Sequence, residues 1–205
     1  MDYGYGWIEI LGFISGGIGL SVAVPQLVKI LKAQSHVGVS ISAWVLMMCN
    51  YACWLGFSFR MDSPSQLISN VIAVFVTSLL VFVLLKEQWG NGFISVLFIS
   101  LLVFACIWLV NVLPVFWMDV LLIIAIGARF PQLFTSYKSW RLGRHTNVSL
   151  LTYMLMALSS LGWMVYGIVS GLYMNILSSG VGLVISMVVL FFEVEAEKKY
   201  VKNQQ

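Results

Sequence analysis

Residues 146–192 read TNVSLLTYMLMALSSLGWMVYGIVSGLYMNILSSGVGLVISMVVLFF, 47 positions without one charged side chain. A bilayer core takes about 20 apolar residues of helix, so this stretch predicts two spans with a turn near Ser170–Gly171. The same ruler works outward along the chain. Ile10–Val28 lies between Glu9 and Lys29, Val37–Phe59 between His36 and Arg60, and Ser63–Leu85 ends at Lys86. Each is one helix long. Gln88–Met118 is too long for one span and contains Asn111 and Pro114, so it holds a fourth helix and the start of a fifth. The fifth runs from about Val115 to Tyr137 and carries Asp119 and Arg129 in its interior. The expected total is seven.

Composition agrees. Of 205 residues, 60% are hydrophobic and 9% charged, and the mean hydropathy is +0.96. A soluble domain carries about 25% charged residues, so a soluble fold is excluded and no separate soluble domain fits. The net charge is +3, but no basic face is free of the bilayer, and nucleic acid is not an expected partner. Cys49, Cys53 and Cys106 are odd in number and lack zinc spacing. They read as reduced core residues. The chain starts with Asp2 and Glu9 and without a basic segment, so no cleavable signal peptide is expected.

Lys and Arg set the orientation. With seven spans, one side receives Lys29, Lys32, Lys86, Lys138, Arg141, Arg144, Lys198, Lys199 and Lys202, and the other only Arg60. The expectation is an outer N-terminus and a cytoplasmic C-terminus.

The chain also repeats itself. Val24-Pro25-Gln26-Leu27 recurs as Phe130-Pro131-Gln132-Leu133, an offset of 131 − 25 = 106, and Lys32 maps to Lys138. His36-x-x-Val39-Ser40 recurs as His145-x-x-Val148-Ser149 and Trp54 as Trp163, both at offset 109. The repeat covers the first three and last three helices. A single linker helix between three-helix units makes both units enter the bilayer in the same sense, as parallel repeats. The boundaries are 1–86 for the first repeat, 87–112 for the linker with the fourth helix, 113–193 for the second repeat, and 194–205 for a cytoplasmic tail. A proline inside a span removes one backbone hydrogen bond and kinks the helix. The neighbouring Gln carries donors and an acceptor for the freed groups. Pro25-Gln26 and Pro131-Gln132 are therefore candidate hinges of a gate, with a static kink as the alternative.

These two Pro-Gln motifs, the His-x-x-Val-Ser segments, the paired Trp and the 3+1+3 plan resemble the PQ-loop transporters, and within them the SWEET sugar transporters. The likeness spans residues 10–192. It implies alternating access around a central solute site lined by a Trp on the second helix of each repeat and an Asn on the third. Carried onto this sequence, that gives Trp54 and Asn70 in the first repeat and Trp163 in the second. Ser179 stands where the second Asn is expected, and Asn175, one turn earlier, shares its face.

The residues carry a case of their own. Trp rings offer flat apolar faces, and Asn offers both a donor and an acceptor. Asn50, one turn before Trp54, and its counterpart Ser159 are polar in mid-span, as pocket lining or as helix–helix glue. Trp7, Trp44, Trp89, Trp108, Trp117 and Trp140 read as interface anchors or lipid-facing residues. Arg129 lies about 13 Å inside the boundary marked by Lys138, at 1.5 Å per residue. It binds an anionic group of the solute or supports carbonyls freed by the kink. Asp119 takes part in proton coupling or accepts a bond at the start of its helix. His36 and His145 read as loop residues, and Glu193–Lys202 as a frayed, solvated helix end. Ser15-x-x-x-Gly19 and Ser178-x-x-x-Gly182 are small-residue packing patterns.

The expected protein is an all-α, multi-pass membrane transporter of a small polar solute, foremost a sugar. Its partners are the solute and the lipid bilayer, and a homo-oligomer is compatible with this. It is expected to need no cofactor or metal and not to be an enzyme, since no hydrolase or metalloprotease motif occurs. A plasma or bacterial inner membrane is favoured over an endomembrane. The alternative is a proton-coupled carrier of an amino acid or organic acid that uses Arg129 and Asp119. A receptor on the plan of the KDEL receptors ranks third.

Overall fold

In a computed structural model the backbone is described for residues 6–33, 41–127, 130–142 and 150–204, and side chains for 6–21, 41–42, 44–127, 130, 133–142 and 150–201. Among these, helix is the only regular structure. The elements are α1 (Gly6–Ala33), α2 (Ile41–Met61), α3 (Pro64–Trp89), α4 (Gly92–Val112), α5 (Val115–Ile126), α6 (Phe130–Leu142), α7 (Leu150–Ser170) and α8 (Tyr173–Gln204). Among the described residues, α3, α4, α7 and α8 are long and apolar enough to cross a membrane, and α1 to Ser21 and α5 are shorter apolar helices.

Local chemistry explains the boundaries. Ser63 caps α3, its Oγ accepting from the Gln66 N–H at 3.4 Å, and Pro64 occupies the first helical position, where no N–H is needed. Gly90, at φ 65°, ends α3 and donates its N–H to the Lys86 carbonyl. Asn91 then caps α4 by accepting from the Ile94 N–H at 3.1 Å. Leu113-Pro114 stops α4 and starts α5. Gly171, at φ 68°, closes the turn between α7 and α8, where the sequence predicts one.

The chain forms two compact units, residues 1–128 and 129–205. In the first, α3 packs on α1 and α2, α4 packs on α2 and α3, and α5 packs on α2 and α4. Side-chain pairings give the directions. Glu9, early in α1, reaches Ser65, early in α3, so these helices run parallel. Met48 clusters with Val81, Leu85 and Ile99, and Ala52 with Val74 and Val103, so α3 runs opposite to α2 while α4 runs with it. In the second unit α8 packs on both α6 and α7. Tyr137 of α6 meets Phe192, and Trp140, three residues on, meets both Phe192 and Lys199 further along α8, so α6 and α8 run parallel. The first helix of each unit thus packs on the third, and the third on the second.

Polarity is arranged for lipid. Phe93 is 77% and Phe134 67% exposed, while Ser15, Ser58, Ser65, Gln66, Thr77, Ser178 and Ser186 are buried. Small polar residues let helices approach closely. Several hydroxyls satisfy themselves on the preceding turn: Ser15 donates to the Leu11 carbonyl, Ser58 to Trp54, Thr77 to Ala73 and Ser186 to Gly182, at 2.7–2.8 Å. Arg60 donates to the Val110 and Leu113 carbonyls at 3.0 and 2.9 Å. It thereby places a cation on the orphan carbonyls at the C-terminal end of α4.

The expected fifth span covers α5 and α6, and the residues that join them, 128–129, lie outside the described set. One expectation changes. The stretch from Glu193 is not frayed. Helix continues to Gln204, and Glu193 and Ala196 are buried. The reason is the aromatic packing of α6 on α8, where Tyr137 and Trp140 hold Phe191 and Phe192 and the Lys199 ammonium sits 4.6 Å from the Trp140 ring centre.

Candidate functional site

In the first unit, Trp54, Ser58, Gln66 and Asn70 form one polar seam between α2 and α3. Trp54 is buried, and its ring meets Phe57 edge-on at 5.4 Å and 78°. Its carbonyl accepts from Ser58 Oγ at 2.7 Å, and Ser58 Oγ in turn accepts from Asn70 Nδ2 at 3.2 Å. Nδ2 also donates to the Gln66 carbonyl at 2.8 Å. A carbonyl can only accept, so the Asn70 amide is oriented by its neighbours. Both its N–H groups are engaged, which leaves Oδ1 as its acceptor end. Asn50, one turn before Trp54, is buried at the edge of this seam.

Gln66 is 2% exposed, and its Nε2 has no partner among the described residues. The Oγ of Ser65, fully buried beside it, has none either. The adjacent backbone is well held, with the Ser65 N–H donating to Glu9 Oε2 at 2.8 Å. A buried, unmet amide is costly, about 1–3 kcal/mol, and it leaves donor capacity for a polar ligand.

In the second unit the ring pair returns. Trp163 meets Tyr166 edge-on at 5.3 Å and 74°, and both positions lie 109 beyond Trp54 and Phe57. Ser159 is buried like Asn50. Asn175 lies 109 beyond Gln66. It is 4% exposed, and its Oδ1 has no partner among the described residues. Asn175 therefore corresponds to Gln66, while Ser179, also buried, corresponds to Asn70. Gly167, at the place of Ser58, brings α7 onto α8: a Cβ there would lie 2.8 Å from the Asn175 Cβ and 3.0 Å from the Ile176 N. The first unit's hydroxyl bridge is replaced by direct packing.

The remaining candidates lie apart from these seams or outside the described residues. Pro25 and Gln26 sit in the later half of α1, and Pro131 and Gln132 in the first turn of α6, but their side chains are not among those described. Arg129, His36 and His145 are outside the described residues altogether. Asp119 is half-buried in the second turn of α5. No group of three or more potential metal ligands able to hold an ion occurs among the described residues.

Sequence reasoning passed over Ser58, Phe57, Gln66, Tyr166 and Gly167. The 109-residue offset, applied around the two Trp positions, pairs Phe57 with Tyr166 and Gln66 with Asn175, and sets Ser58 opposite Gly167 as a difference.

Residues 7–67 match the family model described as the PQ loop repeat. The matched stretch takes in Pro25-Gln26, Trp54 and Ser58 and ends three residues before Asn70. No curated protein matches the chain.

Proposed function

We propose that this multi-pass membrane protein is a PQ-loop transporter that moves a small polyhydroxylated solute, of the sugar class, by alternating access. The recurrence of one ring-and-amide arrangement in both units carries the reading. An edge-on Trp–aromatic pair stands on the second helix of each unit, and a buried amide with an unmet polar atom stands on the third.

The chemistry fits a polyol. The C–H face of a sugar ring packs on an indole face, and its hydroxyls both donate and accept. Asn70 Oδ1 and Asn175 Oδ1 are acceptors for hydroxyl protons, and Gln66 Nε2 is a donor. In this proposal Trp54 and Trp163 stack on the solute, Asn70, Asn175 and Ser179 hydrogen-bond it, and Asn50 and Ser159 extend the polar lining. Pro25-Gln26 and Pro131-Gln132 serve as hinges. The α1–α3 and α6–α8 pairs are each parallel within their own unit; parallel insertion of the two repeats and seven spans are part of the proposal.

Asn70→Ala tests the proposal. In proteoliposomes loaded with purified protein, sugar uptake falls to the protein-free background while the melting temperature stays within a few degrees of wild type. Uptake equal to wild type removes Asn70 from the site. A pH-gradient-dependent flux of an amino acid, lost in Arg129→Gln, would instead favour the proton-coupled reading.

A further inference from the structure

The seam between α2 and α4 brings three thiols together, and none belongs to the site proposed above. Cys49 and Cys53 lie one turn apart on α2, and Cys106 is on α4. The Cys49 and Cys53 sulfurs both lie within hydrogen-bonding reach of the Cys106 sulfur. Cys106 also packs in the cluster of Ala52 and Leu55, the α2 residues on either side of Cys53. All three are free thiols.

The helices cross closely one turn beyond Cys53. A Cβ on Gly56 would lie 3.0 Å from the Ile107 carbonyl and 3.2 Å from its Cα, so the two backbones touch there. Asn111 Nδ2 donates to the Gly56 carbonyl at 3.3 Å and clamps the crossing. Close backbone approach is what a disulfide demands, because its Cβ atoms must come within about 3.5–4.5 Å. Cys49 and Cys53 cannot meet that demand with each other, since Cβ atoms one turn apart on a helix are about 5–6 Å apart. Cys106 is the thiol that either of them must use. Cys53 is the nearer of the two to the crossing.

We propose that Cys53 and Cys106 form an oxidative modification site: a dithiol that converts to an α2–α4 disulfide on reaction with a lipid hydroperoxide. The reactant follows from the location, because an apolar peroxide partitions into the bilayer beside an apolar helix. One deprotonated sulfur attacks the peroxide, so an S–O bond forms, the O–O bond breaks, and the lipid leaves as its alcohol. The second thiolate attacks the sulfenic sulfur, so the S–S bond forms and hydroxide leaves and takes up a proton. In sum, two thiols and one hydroperoxide yield a disulfide, a lipid alcohol and water. Each sulfur gives up one electron, and the peroxide takes both. Cys49 stays reduced. The chemistry does not depend on transport.

The full-length protein in liposomes is exposed to a phospholipid hydroperoxide, denatured, alkylated with a maleimide and weighed. Three maleimide adducts fall to one, a reductant restores three, and the tryptic digest shows the Cys53 peptide joined to the Cys106 peptide. Cys49→Ser falls from two adducts to none. Cys106→Ser keeps its two, because the thiol that either α2 cysteine must use is gone. Three adducts retained by the oxidised wild type overturn the proposal, and so does the loss of two adducts in Cys106→Ser. A mapped Cys49–Cys106 or Cys49–Cys53 link overturns it also. The peptide map is made on wild type, so the result stands even if a variant folds poorly.

Discussion

Gly167→Ala tests the α7–α8 contact that seats Asn175. A methyl group on Gly167 meets the Asn175 Cβ at 2.8 Å, the Ile176 N at 3.0 Å and the Ile176 Cγ1 at 3.1 Å. The first two are backbone-anchored and cannot swing aside, so the start of α8 must shift by several tenths of an ångström. Overpacking of this kind costs about 1–3 kcal/mol, and the rigid neighbours put it near the top of that range. Ala gains roughly 0.5–1 kcal/mol over Gly as a helix residue. The net loss is therefore about 2 kcal/mol, roughly 30-fold in the folded population at 1.4 kcal/mol per tenfold. For a chain of this length that lowers the melting temperature by about 4–8 °C. Gly180→Ala, on α8, is the control, because among the described residues nothing lies within 4 Å of its added methyl. It gains roughly 0.5–1 kcal/mol from the same helix preference. Melting in detergent, followed by tryptophan fluorescence, ranks the three proteins with Gly180→Ala highest and Gly167→Ala lowest. A Gly167→Ala protein that melts with or above Gly180→Ala would refute the contact and the seating of Asn175 derived from it.

Other perturbations read other parts of the molecule. Ser58→Ala removes the hydroxyl that accepts from Asn70, which costs about 1 kcal/mol and lowers uptake by letting the amide turn, while Ser58→Thr retains both. Arg60→Met strips the guanidinium from the Val110 and Leu113 carbonyls. Because Arg60 is half-exposed, the loss is discounted to about 1 kcal/mol, and faster amide exchange confined to the end of α4 reports it. Glu9→Ala removes the acceptor of the Ser65 N–H and destabilises the start of α3 by about 0.5–1 kcal/mol. Unchanged exchange at residues 65–67 would contradict that. Trp54→Ala and Trp163→Ala each raise the solute concentration needed for half-maximal uptake, and equal effects would reflect the matched ring pairs.

Much of the architecture was legible without coordinates because it depends on short-range patterns. An uncharged run the length of a bilayer predicts a helix, and Ser63-Pro64, Gly90-Asn91 and Gly171 punctuate the helices by their backbone and capping preferences. The 109-residue offset between Trp54 and Trp163 already pairs two positions that prove to share an edge-on aromatic partner. Asn175 was harder to assign. It shares a helix face with Ser179, and the 109-residue offset sets it opposite Gln66.

What the sequence determined by itself is helical periodicity, apolarity and self-similarity, all properties of neighbours along one chain segment. Tertiary structure decided which helix lies beside which. Three cysteines that read as separate core residues converge because Gly56 lets α2 and α4 touch. Ser58 becomes the link to Asn70 because α3 runs back along α2. Glu193 is buried, not solvated, because aromatic residues of α6 hold the last turns of α8. Each of these depends on contacts between positions 12 or more residues apart. Backbone approach and side-chain volume select such contacts, and local pattern does not encode them.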